Sequence, residues 1–263
     1  MKLIALDIDG TLIAPAHYGD GSMPGPELTS TIRRAVDSGV MVVLASGRMF
    51  PGTARVARHL GLPGPVICQQ GCSVHLLDGT ITHEFPIDRQ IAMEIVDYAK
   101  KTGRHYEWFN ALRYVVSGRT ESAIHYGAVS GIEPEYRHDP ENSGIVPSAV
   151  GVLSTADEAS GVHAQLSAHY GEALHLLDFP DATVAVSPEA NKGHALSLPC
   201  AELGIGRSEV VAIGDSVNDV AMLEWAGLGL AMAHSDQYAL DAADDVLEDG
   251  DNTLVSCLER LLR

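Results

Sequence analysis

Apolar and polar positions along the chain fall into two alternating patterns. Leu3 to Ile8 is a short apolar run, the signature of a strand buried on both faces. Pro26 to Ser38 places Leu28, Ile32, Ala35 and Val36 at helical spacing, and Gly39 is its stop signal. The valine-rich stretch Val40 to Ala45 predicts a second buried strand, and Pro51 to Leu60 a helix closed by Gly61. Pro65 to Cys68 is a third short strand. Val74 to Leu77 and Thr80 to Phe85 flank Asp78-Gly79, the two-residue signal of a hairpin. Strand–helix–strand–helix–strand is the order of a parallel sheet covered on both faces.

The pattern then changes. Asp88 caps a helix carrying Ile91, Ile95, Val96 and Ala99 and ending at Gly103. Tyr106 to Asn110 and Tyr114 to Ser117 form a hairpin around Ala111-Leu112-Arg113. Gly127 to Ser148 is rich in Gly, Pro, Glu and Asn and predicts no element. Val150 to Leu153 is a strand, and Thr155-x-x-Glu158 is a capping box that opens a helix toward Tyr170. Ala173 to Leu177 and Ala182 to Val186 are two more strands. Locally paired strands with helices between them predict an α+β unit.

After Pro188 the first pattern returns. Helices over Lys192 to Leu203, Val217 to Ala226, Gln237 to Ala243 and Asn252 to Leu262 alternate with strands over Glu209 to Ile213, Leu228 to Ala231 and Asp245 to Leu247. The fold class expected is α/β, a doubly wound, mostly parallel, Rossmann-like core sheet with an inserted α+β unit. The core is expected from residues 1–84 and 188–263, the insertion from 85–187. No internal repeat is present.

Composition narrows what such a fold does. The 263 residues carry 17 basic and 35 acidic side chains, a formal net charge of −18. A phosphate backbone or an anionic membrane surface is repelled by that charge, so neither nucleic acid nor membrane is expected as a partner. No apolar run approaches the roughly 18 residues of a spanning helix, and Asp7 and Asp9 end the first apolar stretch too early for a signal peptide. Cys68, Cys72, Cys200 and Cys257 form no CxxC pair; they are expected as buried free thiols of a cytoplasmic protein. The acidic run from Asp241 to Asp251 is expected as solvated surface.

Four places combine reactive side chains with the end of a strand or the start of the following helix. In Asp7-Ile8-Asp9-Gly10-Thr11, two aspartates two residues apart follow the first strand and lean the same way. Their charge is costly inside the sheet, so they belong at its carboxyl end, where open α/β sheets bind ligands. Ser46-Gly47-Arg48 follows the second strand and offers a hydroxyl and a free N–H to a phosphate oxygen. Lys192 opens a helix as a point charge suited to phosphate. In Gly214-Asp215-Ser216-Val217-Asn218-Asp219, two carboxylates and an amide crowd a turn into a helix, and capping needs only one of them. With Asp7 and Asp9, Asp215 and Asp219 make a set of hard oxygen ligands suited to Mg²⁺.

This set resembles the haloacid dehalogenase superfamily of phosphohydrolases: a DxDGT loop, a Ser or Thr after the second strand, a lysine and a GDxxND loop. The segment Gly214 to Leu223, followed by Ala226-Gly227, looks like the Cof-type sugar-phosphatase branch. The resemblance covers the whole chain, and it implies that 85–187 is a cap. It also implies a Mg²⁺-dependent phosphatase acting on a small phosphorylated metabolite through an aspartyl-phosphate. Asp7 is then the nucleophile and Asp9 the general acid/base. The metal is held by the Asp7 carboxylate, the Asp9 carbonyl and Asp215, with Asp219 as ligand or support. Ser46, the Gly47 N–H, Lys192 and Asn218 hold the phosphate. A phosphomutase or phosphotransferase, and a phospho-accepting receiver, use related acidic clusters and stay open as alternatives.

The sequence departs from the branch at Gln70-Gly71, where Asn-Gly is usual, and at Ala231-Met232-Ala233-His234-Ser235, where Ala-Met-Gly-Asn-Ala is usual. Both fall near the expected substrate mouth, and His234 is a candidate substrate contact there. Tyr106, Trp108, Asn110 and Arg113 are candidate cap contacts, and the linkers near Gly79 and Asn191 candidate hinges.

Overall fold

The computed structural model describes residues 1–17, 21–248, 250 and 252–263. The first stretch forms β1 (Leu3–Leu6), α1 (Pro26–Asp37), β2 (Met41–Ala45), α2 (Phe50–Leu60), β3 (Val66–Cys68), β4 (Ser73–His75) and β5 (Ile81–Glu84). The middle stretch forms α3 (Arg89–Lys101), β6 (Tyr106–Phe109), β7 (Tyr114–Val116), α4 (Glu121–Ser130), β8 (Glu135–Tyr136), β9 (Ala149–Leu153), α5 (Ala156–Tyr170), β10 (His175–Phe179) and β11 (Ala182–Val186). The last stretch forms α6 (Lys192–Glu202), β12 (Val210–Gly214), α7 (Val220–Trp225), β13 (Leu228–Ala231), α8 (Gln237–Ala242), β14 (Asp245–Val246) and α9 (Thr253–Leu261).

Two sheets result. The larger has the order β14-β13-β12-β1-β2-β3-β4-β5. It is parallel from β14 to β3, and the β4–β5 hairpin adds two strands antiparallel to their neighbours. Its central strand β1 alternates strictly: Ile4 and Leu6 enter a cluster with α1, α2 and α9, whereas Leu3 and Ala5 enter a second cluster with α6, α7 and α8. A strand with helices on both faces has no solvent side, which is why it is written as an unbroken apolar run. The fold is the expected doubly wound α/β class.

The smaller sheet has the order β10-β11-β9-β6-β7-β8 and is antiparallel except between β7 and β8. One face packs on α3 and α5 through Tyr106, Trp108, Val150 and Val152. The other carries Phe109, Tyr114, Val116, Ala149, Leu153 and Val184. The chain enters this unit after β5 and returns to the large sheet at α6.

α4 and β8 occupy a stretch from which the sequence pattern predicts no element. The local signals of α4 are nevertheless regular: Thr120 accepts a hydrogen bond from Ala123 N, and Gly131 closes the helix with φ 66°. Its end, with the small Ser130, lies on the first turn of α2, where a Cβ at Gly52 would fall 2.3 Å from Val129 O and 2.8 Å from Ser130 Cα. Among the described residues all four cysteines are buried and free. No helix is long and apolar enough to cross a membrane. In the acidic run, Asp241, Asp244, Asp245 and Glu248 are exposed, and Asp249 and Asp251 lie outside the described residues.

The approach of α6 to α7 sets up the site. A Cβ at Gly193 would lie 2.1 Å from Ala221 O, so glycine is what lets α6 rest on α7. Gly193→Ala is expected to destabilise the fold by about 1–3 kcal/mol through overpacking, read as a lowered urea midpoint.

Candidate active site

The site is built where β1, β2, β3 and β12 end. Asp7 still belongs to the sheet, its N–H donating to Ile213 O at 3.0 Å. The next residues turn back tightly, with Leu12 N and Ile13 N both donating to Ile8 O. Gly10 makes this turn at φ 95°. A Cβ there would lie 2.0 Å from Asp215 Oδ2, so glycine also gives the Asp215 carboxylate its place.

Lys192 joins the strands' loops. It is fully buried, and its Nζ donates to Asp7 Oδ1 and to Asp219 Oδ1, each at 2.6 Å. Asp219 Oδ2 accepts from the backbone N–H of Asp215 at 2.9 Å and of Ser216 at 3.1 Å. One carboxylate therefore fixes both the lysine and the turn that carries Asp215. Burial opposes the charge on Lys192, but Asp219 and Asp7 more than offset it, and its pKa is raised. Burial pushes the Asp7 carboxyl up to about 7, with Asp219 and Asp9 adding to the rise and Lys192 opposing it. Burial, together with the Asp7 and Asp219 carboxylates, pushes Asp215 up to about 9.

Asp9 is gripped in a fork: Arg48 Nε reaches its Oδ2 at 2.7 Å and Arg48 Nη2 its Oδ1 at 2.6 Å. Ser46 is buried and its Oγ accepts from Arg48 N at 3.2 Å. Gln70 completes this corner. Its Oε1 accepts from Asn218 Nδ2 at 2.6 Å, and a Cβ on Gly47 would lie 2.6 Å from Gln70 Nε2. Gln69 and Gln70 both have left-handed backbones, at φ 50° and 64°. Such conformations are sparsely populated and collect at functional sites.

A cavity of about 600 Å³ opens between the two sheets. Asp7, Asp9, Gly47, Arg48, Asp215 and Asn218 line its core end. Glu107, Phe109, Tyr126, Phe179 and Asp181 line the opposite wall. Ser46, Lys192 and Asp219 stand behind the lining residues rather than on the surface of the cavity. Hydrogen bonds cross between the units, from Tyr126 OH to Gly47 O, from Met49 N to Ser130 Oγ and from Gln69 Nε2 to Asn110 O.

None of the four expected cap contacts lines this cavity. Tyr106 and Trp108 face the helices, where Tyr106 OH donates to Glu141 and Trp108 Nε1 to Ile145 O. Asn110 caps its own turn, and Arg113 forks onto Glu135. Their neighbours in strand alternation, Glu107 and Phe109, face the cavity instead. His234 donates from Nε2 to Gly10 O at 2.8 Å and borders a different cavity. Gly79 sits in the β4–β5 turn beside Phe50, away from the crossings between the units. Arg48 is the core residue whose place in the site sequence reasoning left out, although it lies in a segment that reasoning singled out; Gln70 lines the cavity near the mouth where it was expected.

The acidic cluster suits a divalent cation. One oxygen from each of Asp7, Asp215 and Asp219 lies within 4.8 Å of the others. All are hard oxygen donors. Three carboxylates face a single ammonium, and burial together with that uncompensated charge raises the pKa values of Asp7 and Asp215. Asp215 Oδ1 has only a long contact from Thr11 Oγ1, 3.4 Å, whereas both oxygens of Asp219 already carry donors.

Residues 4–256 match the family model of the haloacid dehalogenase-like hydrolases. The chain belongs to this family. Phosphatase YwpJ of Bacillus subtilis is 29% identical over 94% of this chain and 94% of its own. A haloacid dehalogenase-like hydrolase of Bacteroides thetaiotaomicron superposes with a TM-score of 0.84 at 22% identity, covering 99% of each chain. One from B. subtilis superposes with 0.84 at 24% identity, covering 99% of this chain and 100% of its own. These solved structures establish that the fold of this hydrolase is shared over its whole length.

The carboxyl shifts have a consequence for stability. Asp7 and Asp215 hold protons in the folded metal-free hydrolase that they release in the unfolded chain, where a carboxyl titrates near 3.8. Stability of the metal-free protein therefore falls as pH rises from about 5 to about 8, and Mg²⁺ raises the melting temperature more at the upper end. Thermal unfolding in a chelator and in Mg²⁺ checks this. The slope is expected to be shallower in Asp215→Asn.

Proposed function

We propose that this hydrolase is a Mg²⁺-dependent phosphatase of small phosphate monoesters, working through an aspartyl-phosphate. The observation that carries the reading is the convergence on one cavity of Asp7, Asp9 and Asp215, with Lys192 bonded to Asp7 from behind. Lys192 engages one oxygen of Asp7 and orients the carboxylate. The other oxygen attacks phosphorus, and the ester P–O bond breaks. Asp9 gives its proton to the leaving oxygen. It then removes a proton from water, whose oxygen attacks the aspartyl-phosphate, releasing inorganic phosphate and restoring Asp7. Arg48 keeps Asp9 at the cavity rim by its two-pronged contact. The Gly47 N–H and the Asn218 amide serve the phosphate oxygens, with Ser46 and Lys192 supporting them from the layer behind.

The Asp7 and Asp215 carboxylates and the Asp9 carbonyl would hold Mg²⁺, which would supply neutralisation of the anionic nucleophile and phosphate. Asp219 serves chiefly from behind, by fixing Lys192 and the Asp215 turn. Residues 85–187 act as a cap on the core of 1–84 and 188–263, excluding water and contacting the leaving group. The phosphatase name of the B. subtilis relative agrees with this reading.

Asp7→Asn is expected to lower p-nitrophenyl phosphate turnover in Mg²⁺ by roughly 10³-fold or more while the circular dichroism spectrum is kept. Full turnover by the folded variant would remove Asp7 as nucleophile. With a glucose phosphate as substrate, free phosphate is the expected product; an isomeric sugar phosphate would assign a mutase instead.

A further inference from the structure

The wall of the cavity facing the nucleophile carries an ionisable group that the reaction does not use. Glu107 is 5% exposed and lies on β6, opposite Gly151 of β9 and Val116 of β7. Strand alternation sends it to the cavity side together with Phe109, while Tyr106 and Trp108 go to the helices. Tyr114 OH donates to its Oε1, which fixes the carboxyl group. Its Oε2 lies over Gly151, where a Cβ would come within 2.2 Å, so the absence of a side chain at Gly151 makes room for this oxygen. Among the described residues Oε2 has no hydrogen-bond donor, and no cation pairs with Glu107.

The surroundings set what this oxygen accepts. The charges of the two cations of the site are already paired, Arg48 with Asp9 and Lys192 with Asp7 and Asp219, and of their donors only Arg48 Nη1 lacks a partner among the described residues. Asp181, on the exposed turn between β10 and β11, lines the same wall and adds negative charge near Glu107. His125 of α4 lines the cavity but forms no ion pair with either carboxylate. The remaining surface of the wall is aromatic, from Phe109, Tyr126 and Phe179. Oε2 faces the cavity, so a ligand that displaces solvent from it has to supply a donor in its place or leave the acceptor unpaired. Burial and the nearby Asp181 push the Glu107 carboxyl up to about 7, so above that pH a ligand that brings another negative charge to the two carboxylates is opposed, and the low-polarity wall does little to screen it.

We propose that Glu107 is the specificity-determining residue of the cap. The cavity takes phosphate monoesters whose leaving group presents a hydroxyl or ammonium donor to Glu107, and it rejects leaving groups that carry a second anion. This rests on the phosphatase reading and deepens it by naming the class of leaving group.

The test uses the full chain in Mg²⁺ and substrates matched in carbon skeleton. Glycerol 1-phosphate and 3-phosphoglycerate differ by a terminal CH₂OH against a carboxylate. The wild type is expected to favour the first in kcat/KM by roughly tenfold or more, the range of a hydrogen bond to a charged group. Glu107→Gln keeps the shape of the side chain and removes its charge, and is expected to lower that ratio by roughly tenfold, mainly through KM. Asp181→Asn, on an exposed turn that tolerates change, is expected to shift it the same way by a smaller factor, so the inference stays testable if Glu107→Gln does not fold. Phosphoethanolamine against 2-hydroxyethyl phosphate then separates an ammonium from a hydroxyl as the preferred donor. A wild type that prefers 3-phosphoglycerate, or a ratio that neither variant moves, overturns the inference while p-nitrophenyl phosphate is still hydrolysed. Absence of any p-nitrophenyl phosphate hydrolysis removes the phosphatase reading and this inference with it.

Discussion

A lysine ammonium with no exposed surface has to find its counter-charges inside the protein, and most of the site follows from how Lys192 does so. An unpaired charge at such depth costs several kcal/mol, so the pairing is a condition of folding as much as a feature of the site. Its two partners, Asp7 and Asp219, come from the ends of adjacent strands, β1 and β12, and the lysine itself opens the helix α6 that covers them. Three segments far apart in sequence must therefore meet within hydrogen-bond distance. The glycines nearby are the steric side of that requirement. Gly193 lets α6 reach α7, Gly10 clears Asp215, and a Cβ on Gly214 would lie 2.4 Å from Asp219 Cγ.

The same cluster explains how a chain of net charge −18 serves an anionic substrate. Lys192 balances only one of three carboxylates that face each other, and Arg48 is held by a fourth, Asp9. Left alone, the cluster keeps protons that ordinary carboxylates give up. A bound divalent cation would reverse the local sign at the cluster, although the field far from the molecule would remain negative. The long-range charge thus selects against polyanions and large anionic surfaces, while the short-range charge decides what happens at Asp7.

The core was legible because its strands admit one reading. Leu3 to Leu6 is apolar on both faces and is stopped by Asp7, too short a run for a helix. Asp7, Ser46 and Asp215 stood out in the same way, each following an apolar strand run, and the structure brings them together at one end of the sheet. The middle of the chain lacks such contrasts. α4 packs small residues on α2 and turns His125 and Tyr126 to the cavity, so no apolar stripe marks it, and only Thr120 and Gly131 announce its ends. In Tyr106-Glu107-Trp108-Phe109 all four side chains are buried. Alternation tells which pairs share a face, but not which face is the cavity; that is decided by the register of Glu107 against Gly151, a long-range pairing. The large aromatics drew attention to the wrong pair.

The departure at Gln70-Gly71 acquires a physical meaning in this light. Two consecutive left-handed residues leave β3, each at a cost of about 1–3 kcal/mol. The turn sends the two glutamine side chains in opposite directions. Gln70 goes to Asn218 and to the surface of Gly47, at the phosphate end of the cavity. Gln69 goes to the smaller sheet, donating to Asn110 O and accepting from Ser148 Oγ. Gly71, at φ 100°, packs directly on the backbone of Asn191, where the chain re-enters the core. The strain is thus offset by bonds to both units. A displacement of the smaller sheet away from the core has to break the Gln69 bonds or pull on a turn that also positions Gln70. The chain's departure from the usual Asn-Gly therefore lies at the joint between the core loops that carry Gly47 and Asn218 and the smaller sheet.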